Sequence, residues 1–346
     1  MIASQLWFNQ PYQIEIRQQP LPPLLVGQVL VKSLCSAISA GTEMLVYRGE
    51  LPSDITLDAT LDSLQQQISY PLPYGYACVG RVEQVANQSD QNLLNKLVFS
   101  FQPHASHFIA TPQQLMLLPD DIEPEAAVFL ANMETAINLV LDGQPGLGER
   151  VLVLGQGVVG LLVSSLLAQF PLAELYALDG IAQRRHQALQ MGVSQAIDPD
   201  CEVNMAQLQR QLNLPIDLSA TANAGADLIF EVSGAPQALN TAIDLCSYSG
   251  RIVLGSWYGN KSAPIQLGGA AHRNRLTFIS SQVSTIDPEL TGRWDKARRF
   301  DYAWQMIRRL QPQQLISHRL PLEQAASIYQ LLADSPASVM QAVFSY

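Results

Sequence analysis

A chain of 346 residues, 48% apolar and 14% charged, holds enough apolar material for two packed domains. Its formal net charge of −10 argues against nucleic acid as a partner, because phosphate contacts need clustered Lys and Arg. The opening MIASQLWFNQPYQIEIR lacks the basic start and long apolar stretch of a secretory signal. The four cysteines, Cys35, Cys78, Cys201 and Cys246, form no Cys-x-x-Cys pair, so small buried thiols in a reducing, cytoplasmic compartment are the expectation.

In chain order, the first 120 residues read as strands and turns. VGQVLVKSLCSAIS, YACVGRVEQV and KLVFSFQPHASHFIA carry β-branched and aromatic residues in loose alternation, broken by Pro and Gly as a small barrel requires. The polar, Pro-bounded LPSDITLDATLDSLQQQISYPLPYG reads as an excursion loop. From Pro124 the period becomes helical, in PEAAVFLANMETAINLVLDG, with Gly143 at the end. Six short apolar strands follow with helices between them: RVLVLG, ELYALD, SQAID, DLIFEVS, RIVLGSW and RLTFISSQV. Such alternation predicts a parallel sheet covered on both faces. RWDKARRFDYAWQMIRRL is again helical, with Phe300, Trp304, Ile307 and Leu310 as its apolar stripe. LEQAASIYQLL and a strand-like SVMQAVFSY close the chain.

Between Arg150 and Glu174 twenty-three residues carry no charge. A membrane span needs about 20 continuous apolar residues in one helix. Here Gly155, Gly157, Gly160 and Pro171 break the run, which divides into a buried strand and a buried helix. No membrane span is expected. Gly155-Gln156-Gly157-Val158-Val159-Gly160 follows a strand, opens a helix, and precedes a second strand ending in Asp179. In that context the pattern fits a dinucleotide cradle. Gly155 allows the tight turn, Gly157 lets the backbone approach a pyrophosphate, and Gly160 lets helix and strand pack closely. The helix N-terminus adds unpaired N–H groups and partial positive charge. Asp179 is placed to accept the ribose hydroxyls of NAD and to repel the extra phosphate of NADP, its alternative being a turn residue before Gly180. Arg184 and Arg185 are expected on the solvated face of the next helix, which favours NAD over NADP.

Taken together, AGTEM, PYGYACVGRVEQV, LLPDD, NMETAIN, VLVLGQGVVGLL, EVSGAP, RIVLGSWYG, LTFISSQV and SHRLPLEQAASIY resemble the medium-chain dehydrogenase/reductase superfamily over nearly the whole chain. The resemblance implies an α/β protein. A GroES-like β-barrel catalytic domain would be built from residues 1–125 and 285–346, and a Rossmann domain with a doubly wound, six-stranded parallel sheet from 126–284. It also implies a homodimer, a small-molecule substrate, and backbone around Val232, Ser233, Gly234, Gly255, Ser256 and Ser280 beside the nicotinamide. Zinc members carry Cys-Gly-Thr-Asp, Gly-His-Glu and a later cysteine. This chain has Ala40-Gly41-Thr42-Glu43, Gly75-Tyr76-Ala77 and Ala131, and it lacks the four-cysteine lobe after Lys96. Three or four converging N, S or O ligands are needed for zinc, so no zinc and no other metal is expected. His104 and His107, three apart on a strand, would point to opposite faces and read as barrel histidines. Among zinc-free members the chain looks most similar to the group containing bacteriochlorophyllide hydroxyethyl dehydrogenase.

A zinc Lewis acid stabilises developing alkoxide charge by several kcal/mol. A positioned proton donor contributes about 10²–10⁴-fold, or about 3–5 kcal/mol, so loss of zinc need not end hydride transfer. Tyr76, in place of the zinc histidine, is the first candidate donor, with filling of vacated space as the alternative. Thr42, matching the family's relay hydroxyl, is the second, with a turn hydrogen bond as the alternative. Glu134 is the third, against an acid on the helix surface. A metal-free site favours conjugated alcohols or ketones. Between His272 and Leu310 eight Lys or Arg face four acids, and Arg273, Arg275 and Arg293 are candidates to grip an acidic substrate. Arg298, Arg299, Arg308 and Arg309 are expected on a solvated helix face, with Asp295–Arg299 paired at i,i+4. Trp257 and Tyr258 are candidate pocket walls. The leading expectation is a zinc-independent, NAD(H)-dependent alcohol/carbonyl oxidoreductase. The alternatives are an NAD(P)H quinone or enone reductase and a catalytically inactive dinucleotide-binding protein.

Overall fold

A computed structural model describes residues 1–52, 69–214 and 224–346. Most of the predicted excursion loop, residues 53–68, lies outside the described residues. The chain forms two compact units, Met1–Ala131 with Asp301–Tyr346, and Asn132–Phe300.

The first unit contains β1 (Ile2–Gln10), β2 (Gln13–Pro20), β3 (Val29–Ala37), α1 (Ala40–Arg48), β4 (Leu72–Pro73), β5 (Cys78–Val85), β6 (Leu97–Ser100), β7 (His107–Ala110), β8 (Met116–Leu117) and α2 (Pro124–Ala127). A helix α3 (Leu130–Gly143) leads into the second unit, which holds β9 (Arg150–Leu154), α4 (Val158–Leu167), β10 (Glu174–Leu178), α5 (Ala182–Gln190), β11 (Gln195–Ile197), α6 (Glu202–Gln211), β12 (Ala226–Glu231), α7 (Ala238–Leu245), β13 (Cys246–Leu254) and β14 (Thr277–Ser280). Helix α8 (Lys296–Leu310) leads back, and β15 (Ile316–Pro321), α9 (Ala325–Asp334) and β16 (Gln341–Ser345) complete the first unit.

The C-terminal strands belong with the N-terminal ones because their backbones pair. A seven-stranded sheet runs β15-β16-β3-β5-β6-β8, with β7 on β3, and a smaller sheet runs β2-β1-β4. The β1–β2 hairpin pairs Ile2 with Pro20 and Phe8 with Ile14. One face of β1, carrying Leu6 and Phe8, is buried with Tyr47, Tyr329 and Phe344. Thr42 lies in the first turn of α1, whereas the sequence placed it in a turn; Gly49, at φ 71°, ends that helix.

The second unit has the expected six-stranded parallel sheet, in the order β11-β10-β9-β12-β13-β14. Val151, Leu152 and Val153 of the central β9 are fully buried, as strands covered on both faces must be. The uncharged run divides into β9 and a ten-residue α4. Among the described residues no helix is long and apolar enough to cross a membrane. The second compact unit runs on to Phe300, past the 284/285 boundary that the sequence suggests. The physical reason is Arg299, whose guanidinium is buried against Glu134 and Asn138 of α3.

The β9–α4 joint requires glycine. Gly155 has φ +93°, and a Cβ there would lie 2.5 Å from Ser233 Cα; a Cβ on Gly160 would lie 1.9 Å from the Gly155 carbonyl oxygen. At Gly157 a Cβ would meet nothing within 4 Å. Gly160→Ala should therefore destabilise the fold by about 3 kcal/mol, the upper end of overpacking, because backbone must move. Gly157→Ala should stay within about 0.5 kcal/mol of the parent. Urea denaturation midpoints at constant slope measure both.

Candidate active site

The parallel sheet brings the predicted nucleotide residues to one edge. Leu154 is in register with Leu178 and Glu231, Glu231 with Leu254, and Leu254 with Ser280. Gly155, Asp179, Val232–Gly234 and Gly255–Ser256 therefore follow neighbouring strand ends, and Ser280 ends the edge strand. At about 4.8 Å per strand the row is roughly 19 Å long. Gly157 is the N-cap of α4, and the first intrahelical bond runs from Leu161 N–H to Gly157 O at 2.9 Å. The N–H groups of Val158, Val159 and Gly160 precede that bond and have no intrahelical acceptor.

Gln156 does not offer its side chain to a ligand. It is fully buried, with Nε2 donating to Val153 O at 3.2 Å and Oε1 accepting from Ser164 Oγ at 3.0 Å. Its backbone N–H donates to Asp179 Oδ2 at 2.7 Å, and Ile181 N–H donates to Oδ1 at 2.8 Å. Asp179 thus ties the first and second strand ends together. Arg184 and Arg185 are not simply solvated. Arg184 Nη1 lies 3.8 Å from Asp179 Oδ2, and Arg185 pairs with Asp198 at 3.0 Å while donating to Asp179 O at 2.7 Å.

Glu231, which no local sequence pattern singles out, lies at the same end of the sheet. Fully buried at the end of β12, it accepts from Ser233 N–H at 2.9 Å, from the Ser233 hydroxyl and from the Tyr258 phenol. Gly234 N–H donates to Ser256 Oγ at 2.8 Å. The Tyr258 hydroxyl is therefore committed to shaping this loop, and burial with the adjacent carboxylate raises its pKa. Trp257 remains 37% exposed. Arg273 and Arg275 are exposed but precede β14, whereas Ser280 ends it. A four-residue strand separates them by about 13 Å from the end of the sheet that carries the predicted nucleotide residues, so the structure does not bring these two arginines to them. Arg293 is exposed in the segment beyond the strand.

In the first unit Tyr76 and Thr42 do meet. The Tyr76 phenol donates to Ser39 Oγ and stands 3.4 Å from Thr42 Oγ1. Burial, only partly offset by these hydroxyls, pushes the phenol up to about 12, so it is neutral at physiological pH. Beside this cluster His104 is fully buried, with Nε2 3.0 Å from Glu43 Oε2 and Nδ1 2.7 Å from Ser36 Oγ. Neither Glu43 nor Ser39 was singled out from sequence, and no local signal marks Tyr329, the third partner of Glu43. Among the described residues no group of three or more His, Cys, Asp or Glu is placed to hold a metal ion. Ala40 and Ala131 offer no donor atom at the positions matching the family's zinc cysteines. Among the described residues, the side chains at these positions do not make the donor set of a catalytic zinc.

Glu134 is neither a surface acid nor free for proton transfer to a ligand. It is 5% exposed and accepts from Arg299 Nε at 3.1 Å and Nη2 at 2.6 Å. Arg299, expected on a solvated face opposite Asp295, is 0% exposed and also donates to Asn138 Oδ1 and, at 3.1 Å, to Thr285 O. The neighbouring arginines are surface groups: Arg308 pairs with Asp121, and Arg298 lies over the Trp294 ring.

Residues 158–300 match the family model described as zinc-binding dehydrogenase. Curated relatives include a zinc-type alcohol dehydrogenase-like protein of Escherichia coli K12, 26% identical over 66% of this chain and 60% of that protein. Another is the L-threonine 3-dehydrogenase of Bacillus subtilis, 24% identical over 62% and 56%. The matches thus span less than two thirds of those relatives. Among solved structures, a short chain alcohol dehydrogenase of E. coli CFT073 complexed with NADH superposes with a TM-score of 0.78 at 18% identity, covering 100% of this chain and 99% of that one. The 2R,3R-butanediol dehydrogenase of B. subtilis gives 0.78 at 17%, with 99% of each chain covered. The fold is that of medium-chain alcohol dehydrogenases, and the chain is similar to the zinc-type alcohol dehydrogenase-like superfamily.

Removing one member of a buried ion pair leaves the other charge uncompensated. Arg299→Met should cost about 3–5 kcal/mol, whereas replacing both partners, in Glu134→Leu/Arg299→Met, should recover most of that loss. Urea unfolding of the two variants makes the comparison.

Proposed function

We propose that the chain is an NAD(H)-dependent oxidoreductase for an alcohol/carbonyl pair, in which side-chain hydroxyls rather than a catalytic zinc manage the proton. The observation that carries this reading is the Tyr76–Ser39–Thr42 hydroxyl cluster, in which Tyr76 takes the motif position that the family resemblance gives to a zinc histidine. Bound nicotinamide supplies or accepts hydride at the substrate carbon. The remaining work falls to this chain. The open space at Gly157 and the first-turn N–H groups of α4 fit a pyrophosphate, and Asp179 favours the free ribose hydroxyls of NAD over the phosphate of NADP. Tyr76, neutral up to about 12, gives its proton to the developing alkoxide, and the Ser39 and Thr42 hydroxyls then hold the phenolate oxygen.

Without a Lewis acid the favoured substrates are those that delocalise charge, such as a ketone conjugated to a ring, in keeping with the zinc-free group containing bacteriochlorophyllide hydroxyethyl dehydrogenase. An acidic substrate loses the support of Arg273 and Arg275, leaving Arg293. The four cysteines are free thiols, which fits a cytoplasmic location. The largely exposed edge strand β14 suits a homodimer joined through the sheet. An enone or quinone reductase would turn over conjugated acceptors and no alcohol. An inactive nucleotide-binding protein would bind NADH and turn over nothing.

Tyr76→Phe should lower kcat by about 10²–10⁴-fold with NADH affinity unchanged, followed by nicotinamide absorbance across a panel of alcohols, aryl ketones and enones. Full turnover in that variant refutes the donor role, as would one tightly held zinc per chain by elemental analysis. Because the phenol ionises only near about 12, carbonyl reduction should show no loss from this group as pH rises through its ordinary value of 10.0. Asp179→Ala should weaken NADH relative to NADPH in a fluorescence titration; an unchanged ratio would remove the NAD assignment.

A further inference from the structure

Glu43 Oε2 and His104 Nε2 meet 3.0 Å apart, and neither side chain has any exposure. For stability alone such a pair is dispensable, since apolar residues of similar volume are often neutral or better. One contact from each member of the pair nevertheless leads toward Tyr76. Glu43 Oε1 accepts from Ser39 N–H at 2.7 Å, and the Ser39 hydroxyl is the acceptor of the Tyr76 phenol. Glu43 Oε2 accepts from His104 Nε2 at 3.0 Å and from the Tyr329 phenol, so the carboxylate has donors on both oxygens. His104 acts on the other flank. Its ring lies against Gly75, where a Cβ would be 2.8 Å from His104 Cδ2, and its backbone N–H donates to Tyr74 O at 3.3 Å. Gly75 has φ +129°, a conformation that suits glycine. The segment Tyr74–Gly75–Tyr76 is thus fixed to His104, and the hydrogen-bond partner of Tyr76 is fixed to Glu43. The far side of the ring is fastened by Ser36 Oγ, 2.7 Å from Nδ1, and Ser36 in turn lies 2.6 Å from the Tyr346 hydroxyl.

We propose that Glu43 and His104 are positioning residues that act as one unit, orienting the Tyr76 phenol from its backbone and from its hydrogen-bond acceptor together. The proposal rests on Tyr76 as proton donor, and its test separates the two. In the full chain carrying ¹³Cζ-tyrosine, the Tyr76 resonance is assigned by its loss in Tyr76→Phe. Glu43→Gln keeps the volume but turns an amide N–H₂ toward donors, and it should broaden or shift that resonance while leaving exposed Tyr12 unmoved. Should Glu43→Gln fail to fold, Ser39→Ala removes only the hydroxyl link and should give the same change. A Tyr76 resonance that superimposes on the parent's in either folded variant overturns the proposal. On the turnover side, Glu43→Gln should lower kcat by about 10- to 100-fold, as misplacement of a reacting group does, with NADH affinity retained. In a Tyr76→Phe background it should add nothing. Equal factors in both backgrounds overturn the proposal while leaving the donor reading intact. Full turnover in Tyr76→Phe refutes the donor reading whatever the resonance shows.

Discussion

The rest of the second unit's first strand–helix joint depends on how closely Gly160 approaches the Gly155 carbonyl, where a single Cβ would sit 1.9 Å from oxygen. This contact lets α4 begin only three residues past the end of β9. Because the helix starts there, the Gln156 N–H points toward β10 and meets the Asp179 carboxylate, which joins the first two strand ends. The same short joint leaves the space beside Gly157 clear of protein atoms. One steric requirement therefore sets the closeness of helix and sheet, the orientation of Asp179 and the opening at the helix N-terminus.

Burial of charge is the second organising theme. A carboxylate withdrawn from water must find donors for its oxygens or pay several kcal/mol. Glu231 does so through Ser233 and Tyr258, Glu134 through Arg299, and Glu43 through Ser39, His104 and Tyr329. Each solution fixes a nearby segment as a by-product. Glu231 shapes the loop after β12, and Arg299 holds the backbone at Val283 and Thr285 beyond β14. Such polar anchors define one geometry where an apolar core would tolerate several.

What the sequence revealed follows the range of the forces involved. The strands of the second unit were visible because burial on both faces leaves unbroken apolar runs such as RVLVL and DLIF. The glycine turn was visible because its chemistry lies within six residues. The pairing of Arg299 with Glu134 spans 165 positions and that of Tyr329 with Glu43 spans 286. Nothing in either local pattern distinguishes such a group from a solvated one. Helical periodicity put Arg299 on the polar side of α8, but it could not show that buried acceptors wait there. Arg273 and Arg275 were misplaced for a related reason. Charge clustering along the sequence ignores which end of a strand a residue precedes, and in a parallel sheet that decides whether it lies near the carboxyl ends of the strands.

The protonation state of Tyr76 has a directional consequence. Desolvation stabilises the neutral phenol, so at neutral pH the proton is in place to be given to an oxygen acquiring negative charge. An alkoxide is far more basic than a phenolate, which keeps that transfer downhill even for a phenol near 12. Running the same steps backward requires the phenolate as base, a form scarcely populated below its own pKa. The hydroxyls of Ser39 and Thr42 narrow this asymmetry, because each stabilises charge on the phenol oxygen. Glu43 widens it, since its negative charge opposes ionisation next to it. On the proposed donor role of Tyr76, the balance at this phenol lies with proton donation, and carbonyl reduction is the direction that the proposed arrangement serves with the least rearrangement.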